Sequence, residues 1–187
     1  MELRALRKGN LIQSRGVWLW LLALLCLCVI APDPAAARSR THVYLLRGIF
    51  NVSVGLDALA AKLARRGTAA SVYGHTDAAA VANAAIRDYR SGTRSIVLIG
   101  HSLGAGAAVD VAQRLQQAGL PVTLLISLDP VGNASVPRNV HRAVNFYVSG
   151  SQLAGATNVN VSGIPGMDHM AVQSMETMHQ RILGYVR

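Results

Sequence analysis

Along the chain, short apolar runs alternate with longer segments in which apolar residues recur every three to four positions. Short apolar runs are typical of strands buried on both faces of a parallel sheet, and the longer period is typical of amphipathic helices. The predicted strands are 42–46, 70–73, 95–99, 122–128 and 143–148, with 158–161 as a short edge strand. The predicted helices are 55–66, 77–89, 103–118 and a last helix that opens at Asp168. This alternation predicts a three-layer α/β sandwich with a mainly parallel sheet of about five strands.

Two glycines and one threonine mark predicted helix ends. Gly67 and Gly119 directly follow helical segments, where a residue with positive φ commonly ends a helix. Thr76 precedes the second helix, and its hydroxyl is expected to cap that helix.

The first 37 residues follow a different pattern from the rest. A basic stretch leads into the apolar run 17–31, and the small residues Ala35 to Ala37 follow. This layout is typical of a secretory signal peptide, since an apolar run of about 15 residues is short for a membrane-spanning helix. We expect cleavage near Ala37, which leaves a single domain over 38–187. An uncleaved N-terminal membrane anchor is the alternative, favoured by the long basic stretch and two tryptophans.

Both interpretations predict an exported protein, periplasmic or secreted, that contacts a membrane only through an uncleaved N-terminal segment. Hydrophobic residues make up 51% and charged residues 14% of the chain, as expected of a folded domain. The net charge of +9 comes mostly from arginines, which are scattered beyond the first segment with no basic run interleaved with aromatics. We therefore expect no nucleic-acid partner. Oligomeric state is not predicted.

Metal, thiol and nucleotide chemistry find no support in the sequence. Both cysteines, Cys26 and Cys28, lie in the apolar run, which excludes disulfides and thiolate sites from residues 38–187. The chain has no phosphate-binding Gly-Lys-Ser loop, no G-x-G-x-x-G after the first strand and no H-E-x-x-H. No cofactor and no metal are therefore predicted.

The segment Gly100-His101-Ser102-Leu103-Gly104 lies between an aliphatic strand and a helix rich in small residues. The string G-x-S-x-G alone is weak, but this context favours a sharp strand-to-helix turn with an exposed serine hydroxyl. Gly100 and Gly104 keep that turn free of colliding side chains. The N-terminus of the following helix offers free N–H groups to a developing oxyanion. Ser102 is thus the predicted nucleophile.

This segment resembles the nucleophile elbow of lipases and esterases of the α/β-hydrolase superfamily. The resemblance extends from about residue 43 to the last helix, although only the elbow is specific, and it implies a minimal α/β-hydrolase fold. It also implies an oxyanion hole made by the backbone N–H groups of Leu103 and Ile49. Ile49 follows Arg47-Gly48, which matches the His-Gly-x loop of lipases except that Arg replaces His. Short links between strands leave no room for a cap domain, as in small lidless cutinase-like esterases.

A serine nucleophile needs a histidine to take its proton. His169 is the predicted base because it follows the last strand and completes the chain order Ser, Asp, His. In the alternative, Asp168 caps the last helix and His169 is only the polar residue beside it. His101 is expected to be structural, and His75, at the carboxyl end of a strand, is a candidate substrate contact. Surface or packing positions are expected for His42, His141 and His179.

The carboxylate that orients this histidine is identified almost by elimination. The carboxylates within 38–187 are Asp57, Asp77, Asp88, Asp110, Asp129, Asp168 and Glu176. All but Asp129 and Asp168 fall in predicted helices, and Asp168 is next to His169, where side-on contact with its ring is rare. Asp129 is therefore predicted to orient His169, and Leu128-Asp129-Pro130 resembles the Leu-Asp-Pro of certain lipases. In the alternative, Asp129 only forms the turn before Pro130.

Together these residues predict a serine hydrolase that cleaves small-molecule or lipid carboxylic esters through an acyl-enzyme. A thioesterase or an acyltransferase would use the same triad. A non-catalytic exported binding protein on this fold is the alternative from another class.

Overall fold

The computed structural model describes residues 40–149 and 151–186. The strands are β1 (Thr41–Leu46), β2 (Ala69–Tyr73), β3 (Ser95–His101), β4 (Leu124–Leu128), β5 (Ala143–Tyr147) and β6 (Thr157–Asn160). They form one sheet in the order β2-β1-β3-β4-β5-β6, and every neighbouring pair is parallel. The predicted α/β class is confirmed, and the short edge segment is a sixth strand.

Helices cover the sheet on both faces. They are α1 (Gly55–Arg65), α2 (Ala78–Arg90), α3 (Leu103–Gln117) and α4 (Glu176–Tyr185). Along β1, Val43 and Leu45 pack in a core with α1 and α4, whereas Tyr44 and Leu46 pack in a second core with α2 and α3. Successive side chains of a strand point to opposite faces, so a strand between two helical layers is apolar at every position.

The predicted helix ends are confirmed at two glycines, whereas the predicted threonine cap is not. Gly67 and Gly119 have φ of +77° and +71° and follow α1 and α3 closely, as predicted. The prediction for Thr76 is wrong, because a 3-10 turn over His75–Asp77 precedes α2. The Asp77 carboxylate accepts the Gly74 N–H at 2.9 Å there, in place of a threonine cap.

The last helix begins later than predicted. Asp168 does accept the N–H groups of Met170 and Ala171, at 2.8 and 2.6 Å. It opens only a 3-10 turn (Ala171–Gln173), and α4 begins at Glu176. The carbonyl oxygen of Gln173 contacts the ring Nε2 of His179 at 3.0 Å. In a continuous helix that oxygen would accept a backbone N–H instead, so the side-chain contact competes with the helix.

The parallel order brings the carboxyl ends of β1, β3 and β4 to one edge of the sheet, where ligands bind in open α/β folds. β3 lies between β1 and β4, so the turn after β3 has a loop on either side. The predicted signal peptide or anchor over 1–37 lies outside the described residues. None of the helices in residues 40–149 and 151–186 is long and apolar enough to cross a membrane.

Candidate active site

The turn between β3 and α3 holds Ser102 in a strained conformation. Its φ is 58° and its ψ is −123°, a combination that non-glycine residues rarely adopt, and the residue is only 5% exposed. A Cβ on Gly100 would lie 2.1 Å from the carbonyl oxygen of Gly104. A Cβ on Gly104 would lie 2.2 Å from the carbonyl oxygen of Leu46. The turn therefore requires glycine on both sides of the serine.

Asp129 follows β4, is fully buried and has a φ of 44°. Its Oδ2 accepts a hydrogen bond from Nδ1 of His169 at 2.7 Å. Its Oδ1 accepts the N–H groups of Val148 and Ser149, at 2.8 and 3.0 Å, and the Ser149 hydroxyl at 3.0 Å. Burial alone would raise the pKa of Asp129, but these hydrogen bonds together lower it below its usual value. The carboxylate is therefore ionised and held in one orientation.

His169 lies in the loop between β6 and α4, beside the turn at Ser102. Its ring centroid is 4.8 Å from that of His101, the chain neighbour of Ser102, and its side chain is 41% exposed. Because Nδ1–H is donated to the Asp129 carboxylate, Nε2 of the neutral ring carries the lone pair. The pair Asp129–His169 thus offers a proton acceptor at the carboxyl edge of the sheet.

The loop after β1 passes directly beside Ser102. A Cβ on Gly48 would lie 3.0 Å from Ser102 Cβ. The Gly48 N–H is already donated to Ser53 Oγ at 2.9 Å, so the next N–H of this loop is that of Ile49. Leu103 is the first residue of α3, where a backbone N–H has no acceptor within its own helix. Arg47 pairs with Asp57 in the first turn of α1.

His75 also contacts this loop. Its Nδ1 lies 3.2 Å from the carbonyl oxygen of Gly48. A contact between His75 and a substrate stays a prediction. Within residues 40–149 and 151–186, no group of three or more His, Cys, Asp or Glu side chains is placed to hold a metal ion.

A second Ser-His-Asp arrangement, which sequence reasoning missed, lies away from this turn. His42 Nε2 is 2.9 Å from Ser71 Oγ, and His42 Nδ1 is 2.9 Å from Asp88 Oδ2. Asp88 also accepts the hydroxyl of Tyr44 at 2.6 Å. Ser71 lies inside the regular strand β2, with neither a strained turn nor a helix N-terminus beside it. Side-chain hydrogen bonds alone therefore do not distinguish a reactive serine in this chain.

Large apolar side chains are exposed on the loops around Ser102. In the described part of the chain they are Ile49, Phe50, Val52, Val54, Val131 and Met170, which we call the apolar rim. The first four belong to the segment after Gly48, Val131 follows Asp129 by two residues, and Met170 follows His169. Phe50 is 84% exposed and has a φ of 51°. These side chains are exposed on loops that carry candidate site residues, so they are available to contact an apolar group there.

No protein-family model matches the chain, and no curated protein sequence does. Among solved structures, the RedJ thioesterase from the prodiginine biosynthetic pathway in Streptomyces coelicolor is 18% identical, with a TM-score of 0.41. That match covers 68% of this chain and 51% of RedJ, so the chain spans about half of that structure. A structure of RedJ with a PEG molecule in its active site is 14% identical, with coverages of 82% and 94% and a TM-score of 0.47.

Proposed function

We propose that the protein is a serine hydrolase that cleaves carboxylic esters through Ser102, His169 and Asp129. The observation that carries the proposal is the strained Ser102, held between β3 and α3 beside the hydrogen-bonded pair Asp129–His169. A non-glycine residue in this conformation costs on the order of 1–3 kcal/mol, and such strain clusters at functional sites.

In the proposed first half-reaction, His169 Nε2 takes the proton of Ser102 Oγ while Oγ attacks the ester carbonyl carbon. Asp129 holds Nδ1–H and stabilises the imidazolium that forms. The oxyanion accepts the N–H groups of Leu103 and Ile49, with the positive end of the α3 dipole beneath it. His169 then protonates the departing alkoxide, the C–O bond breaks, and the acyl group remains on Ser102.

In the second half-reaction, water attacks the acyl-enzyme. His169 takes a proton from the water, and the same N–H groups bind the second oxyanion. Collapse of this intermediate breaks the bond to Ser102 Oγ, which recovers its proton from His169 as the carboxylic acid leaves.

The apolar rim supports a substrate with an apolar acyl or alcohol group. Its side chains belong to the loops that carry Gly48, Asp129 and His169, so a group bound at Ser102 has apolar surface close by. A thioester of the same acyl chain presents its carbonyl to the same residues. The N-terminal pattern supports a place of action outside the cytoplasm.

Ester turnover by purified protein tests the proposal. We expect hydrolysis of 4-nitrophenyl butyrate, with Ser102→Ala and His169→Ala reducing kcat by on the order of 10⁴–10⁶-fold. Ser71→Ala and His42→Ala are matched controls, since they remove the same residue types from the second arrangement, and they should retain activity. Butyryl thioesters assayed in parallel show which ester class is preferred. Absence of turnover on both classes would favour the non-catalytic binding protein.

A further inference from the structure

His101 is buried between the loop after β1 and the loop that carries His169. Its Nε2 lies 2.7 Å from the carbonyl oxygen of His169, and its Nδ1 lies 2.7 Å from Ser53 Oγ. A carbonyl oxygen only accepts, so Nε2 carries the proton. In a neutral ring Nδ1 is then an acceptor, and the hydroxyl of Ser53 donates to it.

The hydrogen bonds continue into the backbone beside the nucleophile. Ser53 Oγ, whose own proton goes to His101, accepts the N–H of Gly48 at 2.9 Å. Ser53 is fully buried and His101 is 1% exposed, so water does not compete for these bonds. One directed chain therefore runs from Gly48 N–H through Ser53 and His101 to the carbonyl oxygen of His169.

We propose that His101 and Ser53 are positioning residues, which fix the loop of Gly48 and Ile49 and the loop of His169 relative to Ser102. This inference rests on the proposed function. The directed chain joins the backbone of the proposed oxyanion loop to that of the proposed base, through the residue next to the nucleophile. A shift of about 1 Å in such groups reduces turnover strongly, so a rigid link between the two loops has a direct effect on kcat.

The link requires His101 to remain neutral. A proton on Nδ1 would occupy a lone pair of Ser53 Oγ and leave the Ser53 hydroxyl hydrogen without its acceptor. It would also place a second positive charge beside His169, whose ring centroid is 4.8 Å away and which becomes charged during each proton transfer. Burial, and a positive charge on His169 when that ring is protonated, lower the pKa of His101, against the opposing effects of its bond to the His169 carbonyl and of the Asp129 carboxylate.

Three variants divide the chain of hydrogen bonds. In His101→Asn the amide oxygen replaces Nδ1, so the bond from Ser53 is retained and the bond to His169 is lost. In His101→Gln the amide nitrogen replaces Nε2, so the bond to His169 is retained and the bond from Ser53 is lost. Ser53→Ala removes the acceptor of the Gly48 N–H.

The assay compares two esters of one acyl chain, 4-nitrophenyl butyrate and butyl butyrate. Butoxide needs a proton from His169 to leave and nitrophenolate does not. We expect His101→Asn to reduce kcat by about 10–100-fold, more strongly on butyl butyrate. We expect His101→Gln and Ser53→Ala to reduce kcat on both esters by an equal factor of about 10–100, below the cost of losing an oxyanion donor outright. KM should change by less than about threefold, as expected when only transition-state interactions are lost.

A matched control separates positioning from folding. His179 is also 1% exposed, and its Nε2 also contacts a backbone carbonyl oxygen, that of Gln173. His179→Gln should destabilise the fold comparably and leave kcat unchanged. The inference is overturned if the three variants retain the wild-type kcat on both esters, or if His179→Gln reduces kcat as much as they do. If the wild-type protein itself turns over neither ester, the proposed function fails, and the positioning role fails with it.

Discussion

Replacing Gly104 by alanine perturbs the turn at Ser102 without touching a reacting atom. The added Cβ would lie 2.2 Å from the carbonyl oxygen of Leu46 and 2.6 Å from that of Arg47, where ordinary contacts begin at 3.4 Å. Both neighbours are backbone atoms of β1 and the residue after it, which cannot swing away as a side chain can. The N-terminus of α3 must therefore move about 1 Å away from β1.

The expected cost follows from two opposing effects. Overpacking of this kind costs about 3 kcal/mol, at the upper end of the usual range because both contacts are backbone. Alanine gains about 1 kcal/mol over glycine inside a helix. Gly104→Ala should thus lower the free energy of unfolding by about 2 kcal/mol. Because the displaced helix end carries the N–H of Leu103, kcat of the folded variant should fall on the order of 10²-fold.

Gly106 provides the matched control two residues further along α3. A Cβ there would meet nothing within 4 Å, so Gly106→Ala should raise the free energy of unfolding by about 1 kcal/mol and leave kcat unchanged. Urea unfolding and ester turnover of the two variants measure both quantities. Equal stability of the two variants within about 0.5 kcal/mol, or full activity of Gly104→Ala, would refute the close approach of α3 to β1.

Three further outcomes are expected. Ser102→Gly should be about 1 kcal/mol more stable in urea than the equally inactive Ser102→Ala, because glycine adopts a φ of 58° without strain; equal stabilities would show that the turn is relaxed. Phe50→Asn should raise KM about tenfold for 4-nitrophenyl octanoate and little for the acetate, since burying such a ring is worth about 1.5–3 kcal/mol; equal effects on both esters would remove the apolar rim from substrate binding. Burial lowers the pKa of His42, His101 and His179, so below about pH 6.5 these histidines bind more protons in the unfolded chain than in the folded chain. Stability should therefore fall between pH 7 and 5, by at most about 1.4 kcal/mol per pH unit for each histidine, and a flat profile would contradict their burial in the neutral form.

The sheet was predictable because its strands are buried on both faces, which leaves uninterrupted apolar runs such as Val43 to Leu46. The start of α4 was not. Asp168 does bind two N–H groups as a helix cap would, but the Gln173 carbonyl oxygen contacts the ring of His179 and the backbone turns extended at Met175. Capping is read from neighbouring residues, whereas this interruption depends on a contact between the turn and a buried side chain of the next helix.

The candidate site was also predictable only where its residues are adjacent in sequence. Ser102 could be singled out from an aliphatic strand and two glycines, all adjacent in sequence. The bonds of His101 could not, because they join it to Ser53, 48 residues earlier, and to His169, 68 residues later. The apolar rim was also missed, since apolar residues in loops carry no periodic signal.

Reaction with a fluorophosphonate probe tests the role of Ser102 most directly, because the probe labels a serine only where a base and oxyanion donors activate it. Peptide mapping of the labelled wild-type protein should show one adduct, on Ser102. The adduct should be lost in Ser102→Ala and retained in Ser71→Ala. No adduct on the wild-type protein, or an adduct on Ser71, would contradict the assignment of Ser102 as the nucleophile.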